Sequence, residues 1–283
     1  MRHFAVLLCL SGLAPLGFAH APVAAAWAAE TPAKQLEEAL LLPELLEVMQ
    51  QEGATYGADL GAEYFPDNAG ADWQQAVAAL YAPSRLLPIF ETAFEGDLAR
   101  TTADTDAMLA FLTSPFGKKI TRLEISARRA LLDDSVDAAA RQRLEEMRIE
   151  APPRLRLLED FAEAGHLVEM NIASALNANV AFLQGLAASG ATDGALSDAE
   201  ILDHVWGQEN EVRIGAEDWM MTFMILAYQP LSDDEISAYA AFSRSPAGVT
   251  LNRALFAGFD AMFLQTSRDM GQAVGRWIQG TSL

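Results

Sequence analysis

From about residue 31 onward, apolar side chains recur at intervals of three and four, and no stretch of strand length alternates apolar with polar residues. The chain is therefore expected to be all-α, a multi-helix bundle with no sheet. Proline and glycine place the expected breaks at Pro43, residues 53–72, residues 83–88, residues 133–137, Pro152-Pro153, residues 189–197 and Pro230. The clearest loop is 64–72, with Pro66, Asn68 and Gly70. Its acids Asp67 and Asp72 lack the twelve-residue ligand spacing of a calcium-binding helix-loop-helix.

The first thirty residues differ from the rest. Arg2 precedes an apolar run over residues 4–19, and an alanine-rich stretch follows to Ala29, which is the layout of a cleaved secretory signal. Cleavage is expected after Ala28, with Ala21 as the other candidate. Gly12, Pro15 and Gly17 interrupt the run, which is shorter than the ~20 apolar residues of a membrane span. No stable span is expected once the signal is removed, and the mature chain is expected in the periplasm. The one cysteine, Cys9, lies inside the leader, so the mature chain has no disulfide, thiolate metal site or thiol nucleophile.

The formal net charge is −20. Nucleic-acid readers gather Lys and Arg on one face, so a nucleic-acid partner is not expected. The nearest basic cluster is Lys118, Lys119, Arg122, Arg128 and Arg129, interrupted by Glu124 and expected to be a solvated helix face.

Comparing the chain with itself reveals a repeat. Phe111, Ser114, Pro115 and Gly117 recur as Phe242, Ser245, Pro246 and Gly248 at a constant offset. At the same offset Thr101 aligns with Ser232 and Asp104 with Glu235, a hydroxyl followed three residues later by an acid, as in a capping box or its Asp variant. In each heptapeptide the serine is placed to cap a new helix and the proline to occupy its first position. The glycine lets a neighbouring helix come close. Val249, Phe256, Phe259, Phe263 and Met270 in the second copy, and Ile120, Leu123 and Leu131 in the first, are expected core stripes.

A capped helix, then phenylalanine, serine-proline-x-glycine and an apolar helix resembles the bacterial domain of unknown function 2059 family. The resemblance covers residues 84–131 and 215–278. It implies an exported helical protein with no established reaction, and it supplies no catalytic residues. The family often has tyrosine after the phenylalanine; Leu112 and Ser243 stand there in this chain, so no role for that tyrosine carries over.

A search for chemistry finds little. Glu163 and His166 have the Glu-x-x-His spacing of a carboxylate-bridged metal helix, with Glu169 continuing the face, but a second such pair is missing. His204, beside Val205 and Trp206, is expected to be packed or at a boundary. Ser114 and Ser245 are committed as caps, and there is no Gly-x-Ser-x-Gly elbow. The acid pairs Asp133-Asp134 and Asp233-Asp234 are expected at helix termini. No catalytic residue, cofactor or metal site is therefore assigned. The run 219–228 is apolar all round, with Trp219, Met220, Phe223 and Met224; it is expected to be central core, or else the lining of a cavity for a lipid. Asn171, Asn177, Asn179 and Gln184 on the helix of 167–186 are expected to face solvent or a partner helix.

These readings give a signal at 1–28 and two pseudo-repeated halves, 31–150 and 151–283. The expected role is non-catalytic, binding an unknown protein or hydrophobic ligand, or maintaining the cell envelope. The alternatives are a carrier of hydrophobic small molecules and a metal-dependent enzyme using Glu163 and His166.

Overall fold

The computed structural model describes residues 31–66, 69–100, 104–191 and 197–280; the expected signal, Thr101 and the loop residues Asp67 and Asn68 lie outside them. Among the described residues there are thirteen α-helices and no strand. The first seven are α1 (Pro32–Ala39), α2 (Leu42–Tyr64), α3 (Ala71–Leu80), α4 (Pro83–Leu98), α5 (Thr105–Leu112), α6 (Pro115–Ala130) and α7 (Asp134–Glu150). The remaining six are α8 (Pro153–Ala164), α9 (Leu167–Ala188), α10 (Asp198–Gly207), α11 (Glu209–Ala227), α12 (Asp233–Ser243) and α13 (Pro246–Ile278). No helix among the described residues is long and apolar enough to cross a membrane.

Local chemistry starts and stops these helices. Thr31, Ser114, Ser197, Ser232 and Ser245 each cap a helix by accepting a hydrogen bond from a backbone N–H in its first turn. The junctions α1/α2, α7/α8 and α8/α9 turn on residues in the left-handed region, Leu41, Ala151 and His166. A side chain there costs roughly 1–2 kcal/mol, which the surrounding packing must offset.

Two expected breaks are narrower than the sequence suggests: the first falls between Tyr64 and Ala71 and the second between Leu80 and Pro83. Helix α2 runs unbroken through Gly53 and Gly57 to Tyr64. Gly53, Gly57 and Gly61 fall four apart and form a smooth face, against which the antiparallel α3 sets Tyr81, Val77 and Trp73. The Trp73 Nε1–H donates to the carbonyl of Gly57 at 2.7 Å. Helix α4 likewise begins at Pro83 and continues through Pro88.

The long α13 is the axis of the fold. Helix α4 lies antiparallel to it: Phe90 packs on Phe259 with centroids 4.9 Å apart, Arg85 pairs with Asp269, and Arg253 pairs with Asp97 at 2.8 Å. Helix α9 lies parallel to it, with Ser174 beside Asp260, Gln184 beside Arg268 and Ser189 beside Gln279. Gly185 and Gly271 bring the two backbones into contact, since a methyl on either would collide with a carbonyl of the other helix. Phe256, Phe259, Phe263 and Met270 are buried along α13. Val249 is exposed, contrary to the expected stripe, because the first turn buries Ala247, Gly248 and Leu251 and leaves Val249 on the opposite side.

One apolar core extends from Ala33 to Trp277, so residues from 31–150 and 151–283 share the same interior. A smaller core of Ile172, Ala175, Leu176, Val205, Val212 and Ala216 joins α9, α10 and α11.

Candidate functional site

The two Ser-Pro turns adopt the same local geometry. Ser114 Oγ accepts from the Gly117 N–H at 2.9 Å, and Ser245 Oγ from the Gly248 N–H at 3.1 Å. Thr113 and Arg244, which end the preceding helices, have the same backbone angles, φ −84° and ψ −11°. At Gly117 and Gly248 the space a Cβ needs is occupied by the carbonyl oxygens of Phe111 and Phe242, so each glycine admits the backbone of the helix before it. The turns also meet. The rings of Phe111 and Phe242 lie 4.7 Å apart, and Lys119 of the first hairpin pairs with Glu235 of the second at 2.7 Å.

The helices leading into the turns start differently. Ser232 and Glu235 form a full capping box on α12, with reciprocal bonds of 3.1 and 2.8 Å. In the first hairpin Asp104 is itself the cap, accepting from the Ala107 N–H at 2.9 Å. A short carboxylate reaches the N–H donors directly, so α5 starts at Thr105.

Of the basic residues on α6, Lys118, Lys119, Arg122 and Arg129 are exposed as expected, and Arg128 alone is buried. Ile120, Glu124 and Arg128 are four apart, and all three are buried. Glu124 accepts hydrogen bonds from the hydroxyls of Tyr228, at 2.8 Å, and Tyr239. Phe161 of α8 packs on both tyrosine rings and Leu158 is buried beside it, closing the group to water. One turn on, Arg128 holds Glu52 of α2 through two parallel bonds of 2.6 and 2.8 Å and lies 6.0 Å from the Trp219 ring. Each acid or base in this interior thus faces a named polar partner, and the network ties α2, α6, α11 and α12 together. Arg154 adds a lock by donating to the carbonyls of Tyr228 and Leu231, which close the end of α11. Sequence periodicity on α6 held the signal for Glu124 and Arg128; nothing in the sequence singled out Glu52, Tyr228 or Tyr239 as their partners.

On α11, Met220, Phe223 and Met224 are buried in the main core, and Trp219 is half-buried and stacked on Phe223 with centroids 5.5 Å apart. Glu163 and His166 do not share a helix face. Helix α8 ends at Ala164, His166 is the left-handed residue of the turn, and Glu169 starts the next helix, where Arg213 donates to it and holds its carboxyl below the usual range. Among the described residues no group of three or more His, Cys, Asp or Glu side chains is placed to hold a metal ion. Asp133 caps α7, where the Ser135 hydroxyl and N–H lower its pKa, and Asp233 opens α12 and meets Arg154.

Three further side chains complete the picture. Asn171 is fully buried, its amide donating to the Leu167 carbonyl at 2.7 Å, while its own oxygen has no hydrogen-bond partner among the described residues. His204 is exposed, and so is Trp206, at 62%. Ile201 and Val205 take the inward side of α10, which turns Leu202 and Trp206 outward.

The fold and its interior define an all-helical protein whose polar core is a closed structural network. Residues 99–146, which span α5, α6 and most of α7, match the family described as "Uncharacterized protein conserved in bacteria (DUF2059)". The matched segment holds the first Ser-Pro turn together with Glu124 and Arg128; residues 215–278, where the resemblance was expected to recur, lie outside it. No curated protein and no solved structure matches the chain.

Proposed function

We propose that this chain is an exported, non-catalytic helical protein that acts in the periplasm by binding through its outer helix faces. The observation that carries this reading is the contrast between two apolar helices. The apolar side chains Met220, Phe223 and Met224 of α11 are packed inside, whereas Leu202 and Trp206 of α10 stand outward. Large apolar groups on a surface ridge are available to a partner in a way that core groups are not. The leader of residues 1–28 supports export, and the cysteine-free remainder suits a compartment in which the fold rests on its core alone.

Native mass spectrometry of the protein purified from periplasm, with metal analysis of the same sample, tests the reading. The expected result is a chain beginning at Ala29 with no adduct and no stoichiometric metal. A lipid-like adduct that dissociates on activation would replace this reading with a carrier whose ligand lies beside Met220 and Met224. Stoichiometric iron or zinc would replace it with a metal-dependent activity.

A further inference from the structure

The ridge on α10 carries a more specific conclusion, which rests on the binding reading above. On its inward side α10 buries Ile201 and Val205, and Val205 enters the smaller core formed with α9 and α11. Leu202 and Trp206 are four residues apart and so stand one above the other on a single outward edge, 45% and 62% exposed. The chemistry around that edge is one-sided. Between Asp198 and Glu211 there are five acids and no lysine or arginine. Asp198 accepts from Gln184, Glu200 completes the capping box with Ser197, and Glu209 holds Arg213. Asp203 and Glu211 are exposed and have no ion-pair partner among the described residues.

This charge pattern selects the occupant. An anionic lipid surface would be repelled by the five acids, and a second copy of the chain, itself carrying a net −20, would set like charge against like in a two-fold contact. A segment that sets apolar side chains between lysines or arginines meets both demands. We infer that α10 is a docking ridge for a cationic amphipathic helix of a partner protein, with Leu202 and Trp206 as apolar anchors and Asp203 and Glu211 as charge partners. Aromatic anchors surrounded by a charged rim are the usual anatomy of such contacts.

Calorimetric titration of residues 29–283 with a helical peptide of leucine and lysine at amphipathic spacing tests this directly. The expected result is saturable one-to-one binding with a blue shift of Trp206 emission, weakening as salt rises from about 20 to about 300 mM. The double variant L202S/W206S, and separately D203K/E211K, should each weaken binding at least about tenfold. A peptide of the same lysine count without leucines should bind at least about tenfold more weakly than the amphipathic one. Both pairs are solvent-facing, and an unchanged melting temperature confirms that the variants fold. Equal affinity for wild type and L202S/W206S would overturn the assignment, because attraction to the overall negative charge would then explain all binding. Binding to vesicles rich in phosphatidylglycerol, or a dimer that L202S/W206S dissociates, would overturn it in favour of a different occupant. An adduct-free mass with a failed titration would reject the ridge alone, while a lipid adduct would reject the broader reading.

Discussion

The ring of Phe111 rests on that of Phe242, centroids 4.7 Å apart and planes inclined by 32°, so residues at matching places in the two Ser-Pro hairpins touch each other. Both are buried, and Phe116 adds an edge contact to Phe111 at 6.1 Å. Truncating either ring should cost about 3–5 kcal/mol, the range for a buried phenylalanine. A double-mutant cycle on F111A and F242A, read from urea unfolding, should give a coupling of about 0.5–1.5 kcal/mol beyond lost burial. Strict additivity would mean that the rings are neighbours without being partners.

The α9–α13 contact depends on missing side chains. Gly185 faces the Arg268 carbonyl, and Gly271 faces that of Phe182, so an added methyl at either must push two backbones apart. G185A and G271A should each destabilise by about 1–3 kcal/mol or more, as overpacking does. Gly96, exposed in the last turn of α4, has nothing within 4 Å of a built Cβ, so G96A should gain about 0.5–1 kcal/mol from helix propensity. Thermal melts of the three variants separate contact from propensity, because the same substitution must move the midpoint in opposite directions. A common direction would reject the close approach.

The helical class was legible because a 3.6 period survives in any sequence whose helices bury one side. The Ser-Pro turns were legible for a different reason: the cap, the proline and the glycine act within a few residues of one another. What the sequence hid was long-range. Gly53, Gly57 and Gly61 read as punctuation, and only the presence of Trp73, Val77 and Tyr81 opposite them makes the three a groove. Arg128 read as a surface cation because charge is a good guide to exposure until a partner such as Glu52, far away in sequence, takes it inside. His166 reads as a possible ligand beside Glu163, yet α8 ends before it and His166 is itself the left-handed residue of the turn. The outward ridge of Leu202 and Trp206 was hidden by the same logic, since which apolar side of α10 meets α9 is settled by packing.

The network under Phe161 should be stiff to conservative change. Y239F removes one donor from buried Glu124 while keeping the ring, and should cost about 1–3 kcal/mol, the penalty for breaking a buried bond to a carboxylate. E52A leaves the Arg128 guanidinium buried without its bidentate partner and should cost about 3–5 kcal/mol. Replacing Arg128 and Glu52 together by methionine and leucine should recover much of that loss, because no charge is then left buried. If the double variant is as unstable as E52A, the pair contributes net stability and not merely satisfied burial.

Asp260 offers a pH test of the central helix pair. It is half-buried in α13, accepts a hydrogen bond from Ser174, and burial raises its carboxyl above the usual range despite that bond. A raised carboxyl holds its proton in the folded state at a pH where the unfolded chain has released it. Its contribution to stability is therefore complete below the ordinary carboxylate range and falls away as pH rises through the folded value. D260N keeps an oxygen for the Ser174 hydroxyl and removes the charge. The variant should melt with the wild type at about pH 3 and above it at about pH 7, and the wild type alone should lose stability between them through this group. A D260N melting point below the wild type at neutral pH would show that the bond from Ser174 to the ionised carboxylate outweighs the cost of burying it.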